Sequence, residues 1–239
     1  MKHTVRVAAC QMTVVDNPFV NCRTILRAIR SLPRRTDIVC FPETCINTNE
    51  RRVVDVSVYL KSIAAACRAK RVHAIVGAYE RERGRVYNVT YLFDHRGRVL
   101  HRYKKVHLWR DEARHVTKGK GNALLKTRFG KIGIITCWDY AFPEDIQRWF
   151  KKKAHIIFCP SFLIDARGAE QFLRALPLVR AFENTCYFML CDTYTKRTAG
   201  MSMIASPLRV LASIEGRAGT IVADLDMKKL AAWRRFTGL

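Results

Sequence analysis

Short apolar segments alternate with amphipathic segments along the chain, and this alternation limits the possible folds more than any other feature. Strands are predicted over four apolar segments of the first half: VRVAACQM (5–12), DIVCFPE (37–43), HAIVGAYE (73–80) and VYNVTYLFD (86–94). One helix is predicted to begin at Asn17-Pro18, because proline is favoured at the first helical position, and a second contains Tyr59, Ile63 and Cys67. This order predicts an α/β fold with parallel strands.

The second half of the chain repeats the order of the first. Strands are predicted over KIGIITCWD (131–139), HIIFCPSF (155–162), CYFMLCDTY (186–194) and MSMIASP (201–207). Helices are predicted over FPEDIQRWFKKK (142–153) and in the segment around Phe172, Leu176, Val179 and Phe182. TDIVCFPE (36–43) and AHIIFCPS (154–161) are counterparts, each an apolar strand that proline stops. Two such halves predict two mixed sheets with outer helices in a single domain over residues 1–239.

The net charge is unusually high, at +23 from 43 lysines and arginines against 20 aspartates and glutamates. Such a charge favours solubility and attraction to polyanions, and it carries no information about the fold. The basic residues are spread along the chain, with short clusters at 34–35, 151–153 and 234–235. No sequence pattern of an RNA-recognition motif, zinc finger or helix-turn-helix accompanies them. Nucleic-acid binding is therefore an alternative that rests on charge alone.

The nine cysteines indicate the compartment. Most lie inside apolar runs, where a free cysteine behaves as a small hydrophobic residue, and a reducing cytoplasm suits them better than a disulfide framework. No CxxC pair or cysteine–histidine spacing predicts a metal site. Arg6 interrupts the apolar start too early for a signal peptide, and no apolar run reaches the roughly 18 residues of a membrane span. We therefore predict a cytoplasmic protein without a membrane partner.

Cys137 differs from the other cysteines because it ends a predicted strand directly before a predicted helix. Functional groups gather at the carboxyl ends of parallel strands, and Glu43 ends another such strand. A helix N-terminus favours thiolate over thiol, so we expect an activated nucleophile at Cys137. Taken singly, Cys137 could be a ninth core cysteine, Glu43 a strand-end carboxylate and Lys105 a surface lysine.

Several segments together resemble the nitrilase superfamily of carbon–nitrogen hydrolases, in the family's order from about residue 5 onwards. They are VAACQM (7–12), FPE (41–43), the stretch from Val76 to Leu108, FGKIGIITCWDYAFPE (129–144), RAFEN (180–184) and GMSMI (200–204). The resemblance implies a four-layer α-β-β-α sandwich with a catalytic triad of Glu43, Lys105 and Cys137. It also implies that Glu112 orients Lys105 and the substrate, that no cofactor or metal is needed, and that the chain forms a homodimer or higher homo-oligomer.

The implied activity is hydrolysis of a small linear amide or carbamoyl compound through a cysteine thioester, with release of ammonia. The pair Trp138-Asp139 is typical of amidases and carbamoylases, whereas nitrilases usually carry Trp-Glu, so nitrile hydrolysis is the alternative within the family. Trp138 follows the nucleophile and is expected to form a wall of the substrate pocket. The high positive charge favours an anionic or neutral amide over a cationic one. The segments TCINTNERR (44–52) and CDTY (191–194) depart from the family's usual pattern, so the substrate stays open.

Overall fold

A computed structural model describes residues 2–121, 124–164 and 168–238. These residues form twelve strands: β1 (Thr4–Gln11), β2 (Ile38–Cys40), β3 (His73–Glu82), β4 (Arg85–Phe93), β5 (Val99–Lys104), β6 (Leu125–Thr127), β7 (Gly130–Ile134), β8 (Ile156–Pro160), β9 (Tyr187–Cys191), β10 (Met201–Ala205), β11 (Val210–Glu215) and β12 (Gly219–Asp226). The helices are α1 (Pro18–Ser31), α2 (Ser57–Lys70), α3 (Pro143–Lys151), α4 (Glu170–Glu183) and α5 (Met227–Thr237). Short 3-10 helices lie at Arg110–Arg114 and Cys137–Ala141.

The strands form two mixed six-stranded sheets with matching topologies. The first has the order β12-β1-β2-β3-β4-β5 and the second, read from its opposite end, β6-β7-β8-β9-β10-β11. In each sheet three parallel strands stand at the centre, and their neighbours run antiparallel. The predicted duplication is therefore confirmed, because the two halves place corresponding strands in the same order.

Three apolar layers hold the structure together as an α-β-β-α sandwich, which confirms the predicted fold. The middle layer packs the two sheets face to face, with Val7 and Ile38 from the first sheet and Ile134 and Phe158 from the second. A second layer packs α1 and α2 on the outside of the first sheet, and a third packs α3 and α4 on the outside of the second. Removal of these apolar side chains from water is the main contribution to stability. None of the described helices is both long and apolar enough to cross a bilayer.

Helix α1 begins where the sequence predicts. The Asn17 side chain accepts hydrogen bonds from the N–H groups of Phe19 and Val20, and Pro18 occupies the first helical position. Ile25 and Ile29 are buried against the sheet, as their spacing predicts. The helix is therefore fixed by its cap and by its apolar face together.

One local prediction was wrong, at the end of β7. Strand β7 ends at Ile134, and Cys137 begins a 3-10 helix instead of ending the strand. The helix predicted around residues 172–182 is confirmed as α4, in which Leu176 is buried while Phe172, Val179 and Phe182 are exposed. The buried face of α4 also contains Arg180, whose Nε donates a 2.8 Å hydrogen bond to the Tyr140 carbonyl. Both faces of α4 carry apolar residues, so periodicity alone could not choose between them.

Candidate active site

The carboxyl ends of the central strands meet at one edge of the sandwich, where they border a cavity of about 990 Å³. All five side chains singled out from the sequence line it: Glu43, Lys105, Glu112, Cys137 and Trp138. Glu43 follows β2, Lys105 follows β5 and Cys137 follows β7. The fold thus brings together residues that are up to 94 positions apart in the sequence.

Lys105 lies between two carboxylates. Its Nζ donates to Glu43 Oε1 at 2.7 Å and to Glu112 Oε2 at 2.8 Å, and the Lys105 side chain is only 2% exposed. Burial acts to lower the pKa of Lys105, but Glu43, Cys137 and Glu112 outweigh it and raise that pKa well above its usual value. Lys105 is therefore a fixed cation at the base of the cavity.

The two carboxylates have opposite pKa shifts. Burial raises the pKa of Glu43, and Glu112 acts in the same direction while Lys105 opposes them. Burial also acts to raise the pKa of Glu112, but Lys105, Asn88 and the Trp109 N–H together lower it below its usual value. Environments that separate the pKa values of two carboxylates assign them different roles. Glu43 is suited to accept a proton, whereas Glu112 stays ionised and holds Lys105.

Asn88 connects the two carboxylates, and the sequence analysis did not single it out. Its Nδ2 donates to Glu43 Oε1 at 2.7 Å and to Glu112 Oε1 at 2.8 Å, and Tyr79 donates to the same Glu112 oxygen at 3.3 Å. Both carboxylates need a donor, so the amide nitrogen faces them, and the buried Asn88 Oδ1 finds no partner within the described residues. The available signal was a polar residue inside the apolar strand VYNVTYLF (86–93).

Asp139 is a second positioning residue whose role the sequence did not reveal. Its carboxylate accepts from the Thr136 N–H at 2.9 Å, from the Tyr103 hydroxyl at 2.6 Å and from the His107 N–H at 2.7 Å. These contacts tie the turn that carries Cys137 to the segment that carries Lys105. Asp139 is 2% exposed, so the link is shielded from water.

Cys137 occupies a strained turn and is protonated at rest. Its φ of 46° is in the left-handed region, which is uncommon for residues other than glycine and clusters at functional sites. Its Sγ lies 3.8 Å from the Phe162 carbonyl oxygen. Burial raises the pKa of the thiol well above its usual value, and Glu43 acts in the same direction while Lys105 opposes them.

The expectation that a helix N-terminus would favour the Cys137 thiolate was wrong. The helix that begins at Cys137 is a five-residue 3-10 helix, and α3 starts only at Pro143. Short helices have small dipoles, and here desolvation and the nearby carboxylate dominate. The thiol must therefore lose its proton as it reacts, and Glu43 lines the same cavity as the nearby carboxylate that could accept it.

Aromatic side chains form one wall of the cavity. Trp138 packs edge-to-face against Trp109 with ring centroids 4.4 Å apart and lies at right angles to Phe142. Trp138 is half-buried and borders the cavity. The guanidinium of Arg110 lies over the Trp109 ring at 4.8 Å, so it extends this wall with a positive charge.

The backbone beside Glu43 requires a glycine at position 77. A Cβ at Gly77 would lie 2.5 Å from the backbone nitrogen of Thr44, which is too close for any side chain. Thr44 itself has a φ of 45°, so the turn after Glu43 is strained as well. The close approach of β3 therefore fixes the direction of the Glu43 side chain. No cluster of three histidine, cysteine, aspartate or glutamate side chains within the described ranges is arranged to hold a metal ion.

Comparisons with known proteins agree with this geometry. A carbon-nitrogen hydrolase family model matches residues 6–235. The chain is 29% identical over 174 residues to a 2-oxoglutaramate amidase of Bacillus subtilis, which covers 68% of this chain and 65% of that protein. It is 26% identical over 228 residues to an (R)-stereoselective amidase of a Pseudomonas species, which covers 90% of this chain and 82% of that protein.

Solved structures share the fold. The crystal structure of Saccharomyces cerevisiae Nit3, a member of branch 10 of the nitrilase superfamily, superposes with a TM-score of 0.89 and 21% sequence identity, covering 100% of this chain and 96% of that one. An amidase from a Nesterenkonia species superposes with a TM-score of 0.84 and 20% identity, covering 100% of this chain and 98% of the other. At these identities the similarity establishes the shared architecture.

Proposed function

Because the chain belongs to the carbon–nitrogen hydrolase family of the nitrilase superfamily, we propose that it hydrolyses a small linear amide or carbamoyl compound and releases ammonia. The observation that carries this proposal is the placement of Lys105 Nζ, at 2.7 Å from Glu43 and 2.8 Å from Glu112, in the same cavity as Cys137. A base, a fixed cation and a nucleophile in one water-restricted cavity are the groups that acyl transfer needs. The amidase names of the curated relatives support the same reaction class.

The first step forms a thioester. The Cys137 sulfur attacks the carbonyl carbon of the amide while its proton passes to Glu43, whose raised pKa makes it a better base than an ordinary carboxylate. Collapse of the tetrahedral intermediate breaks the carbon–nitrogen bond. The proton on Glu43 goes to the departing nitrogen, which leaves as ammonia.

The second step hydrolyses the thioester. Glu43, ionised again, takes a proton from a water molecule whose oxygen attacks the acyl carbon. The carbon–sulfur bond breaks, the acid leaves, and the proton on Glu43 returns to the sulfur. The enzyme ends the cycle in its starting state.

The developing oxyanion in both steps is stabilised by Lys105 and by the backbone N–H of Trp138. A preorganised donor at an oxyanion contributes roughly 10²–10³ in rate. Glu112 accepts a hydrogen bond from Lys105 and so fixes its ammonium group before the substrate arrives, and Asn88 supports this arrangement by donating to Glu112 and Glu43. Lys105 therefore needs no reorganisation during the reaction.

The test is ammonia release from a panel of neutral, anionic and cationic amides and carbamoyl compounds, with nitriles included. Cys137→Ala should abolish release, whereas Cys67→Ala, which alters another buried cysteine on the inner face of α2, should leave it unchanged. Release by the Cys137→Ala variant at the wild-type rate would overturn the proposal. Turnover of nitriles alone would favour the nitrile alternative.

A further inference from the structure

The edge of the sandwich opposite the cavity collects basic side chains that are dispersed in the sequence. This amino edge is where α1, α2 and α3 end and where the turns between β4 and β5 and between β6 and β7 lie. Its turns carry seven exposed basic residues, which we name the amino-edge surface: Arg34, Arg35, Arg71, Arg96, Arg128, Lys152 and Lys153. The fold thus concentrates part of the +23 charge in one place.

Carboxylates at this edge do not neutralise the surface. Asp37 and Asp94 are close in sequence to two of these turns and are buried, while at the same edge Asp224 pairs with Arg6 and Asp226 caps α5. Asp37 is bonded by Lys2 Nζ at 2.8 Å and by the Arg6 N–H, and Asp94 by Arg98. Within the described part of the chain, none of the seven basic side chains forms an ion pair with a carboxylate.

Three of the seven residues occupy backbone positions that favour glycine. Arg71 and Lys153 have φ values of 57° and 56° one and two residues past the ends of α2 and α3, and Arg35 has a φ of 64° four residues past the end of α1. Attraction to the helix dipole does not account for them, because the last turns of α1, α2 and α3 already contain basic residues. Helix α4, which ends at the same edge, is followed by Asn184 and Thr185 instead. In α2 and α3 the left-handed residue closes the last helical turn, a position where glycine is usual, and here each carries a cation: Arg71 and Lys153.

The basic side chains act together on one neighbour. Burial and the charges of Arg128, Arg96 and Arg71 lower the pKa of His95, with Asp94 acting in the opposite direction. These three arginines come from three different turns, and Arg128 belongs to the second sheet while the other two belong to the first. The charges of arginines from both sheets therefore reach the same histidine.

We propose that the amino-edge surface binds the phosphate backbone of duplex DNA. Five of the seven residues are arginines, whose planar guanidinium groups bind phosphate oxygens through two parallel hydrogen bonds. All seven are cationic, and duplex DNA, which carries one negative charge per about 1.7 Å of its axis, is a polyanion whose charge density matches such a surface. Binding through phosphates alone is independent of base sequence, and it leaves the cavity at the opposite edge free.

The test is fluorescence anisotropy of a labelled 20-base-pair DNA duplex at salt concentrations from 50 to 200 mM. The variant Arg34→Gln/Arg35→Gln/Arg71→Gln/Arg96→Gln removes four charges from the surface. The matched control, Arg52→Gln/Arg81→Gln/Arg83→Gln/Arg85→Gln, removes four exposed charges near the cavity edge without altering a cavity residue. Both variants therefore have the same net charge.

Wild-type protein should bind the duplex with an affinity that falls steeply as salt rises, with a log–log slope of about −6 if all seven residues contact phosphates. The amino-edge variant should bind at least about 30-fold more weakly, with a slope about 3 to 4 shallower, whereas the control should stay within about threefold of wild type. Equal losses in the two variants, or no wild-type binding at 50 mM salt, would overturn the proposal.

A second variant separates binding from folding. Arg35→Gly/Arg71→Gly relieves two strained turns, so its melting temperature should not fall, while its DNA affinity should fall several-fold. Unchanged affinity in this variant would contradict the proposal. The proposal would also be overturned if the amino-edge surface bound anionic lipid vesicles or an RNA duplex more tightly than duplex DNA. The outcome does not depend on amide hydrolysis.

Discussion

Replacement of Asn88 by leucine tests whether the buried hydrogen bonds of the site hold the catalytic charges in place. Asn88 is 1% exposed, and its amide donates one hydrogen bond to Glu43 and one to Glu112. Leucine has a similar volume and cannot donate. Hydrogen bonds to charged groups contribute about 1.5–3 kcal/mol each, and leucine recovers part of that through its lower desolvation cost, so we expect the free energy of unfolding to fall by about 3 kcal/mol.

The effect on catalysis should exceed the effect on stability. Without Asn88, the pKa of Glu112 rises, because one of the hydrogen bonds that lower it is gone. Lys105 is then held less rigidly, and a misplacement of about 1 Å in a catalytic group can cost on the order of 10²-fold in rate. We expect kcat for ammonia release to fall by about 10²-fold at a temperature where the variant is folded.

Asn21 supplies a matched control. It is also a 1% exposed asparagine whose amide donates two hydrogen bonds, at 2.7 Å to the Val15 carbonyl and at 3.1 Å to the Ile46 carbonyl. Asn21→Leu should lower the free energy of unfolding by about 2 kcal/mol, because its partners are neutral, and should leave kcat within about threefold. Denaturant unfolding and steady-state ammonia release measure both quantities. If Asn88→Leu keeps wild-type kcat, the positioning role assigned to Asn88 is refuted.

Three further changes probe the same site and its surroundings. Activity should decline as the pH falls through the raised pKa of Glu43, because the protonated carboxyl cannot accept the thiol proton; a flat acidic limb would contradict this. Gly77→Ala places a Cβ 2.5 Å from the Thr44 nitrogen and should displace Glu43. The free energy of unfolding should fall by about 1–3 kcal/mol, and activity should fall further. Full activity in this variant would show that β3 does not position Glu43. Burial raises the pKa of Asp192 to about 7, so the native state binds this proton more tightly than the unfolded chain does. The free energy of unfolding should therefore decrease between about pH 4 and about pH 7, and Asp192→Asn should remove up to about 4 kcal/mol of that decrease; parallel pH profiles for wild type and variant would refute the assignment.

The alternation of apolar strands and helices predicted two mixed sheets with outer helices, and the family resemblance implied that they stack as a four-layer sandwich. The edge strands β5, β6, β11 and β12 were not predicted. Edge strands carry exposed residues on much of their length, as the largely exposed VLHRYK segment of β5 illustrates, so their apolar pattern is weak. Their positions follow from pairing with central strands, which no local pattern encodes.

Sequence motifs identified Glu43, Lys105, Glu112 and Cys137 as candidate site residues. The structure places all four around one cavity. The protonation state of Cys137 was not predictable, because it depends on burial and on Glu43, which is 94 residues away in the sequence. Asn88 and Asp139 were not identified from the sequence for a similar reason, because their hydrogen-bond partners are distant in the sequence.

The spatial distribution of the basic residues was also not predictable from the sequence. Along the chain they appear dispersed, and only the pairing order of the strands shows that Arg71, Arg96 and Arg128 converge on His95. Charge counts from sequence alone therefore could not distinguish a general surplus from a localised surface.

The central claim is that Cys137 carries the acyl group, and mass spectrometry after rapid acid quenching tests it most directly. Wild-type protein mixed with an amide that it hydrolyses should gain the mass of one acyl group. Peptide mapping should locate that group on Cys137. The Cys137→Ala variant should gain none. Steady ammonia release with no adduct on Cys137, or with the acyl group on another of the nine cysteines, would contradict the account.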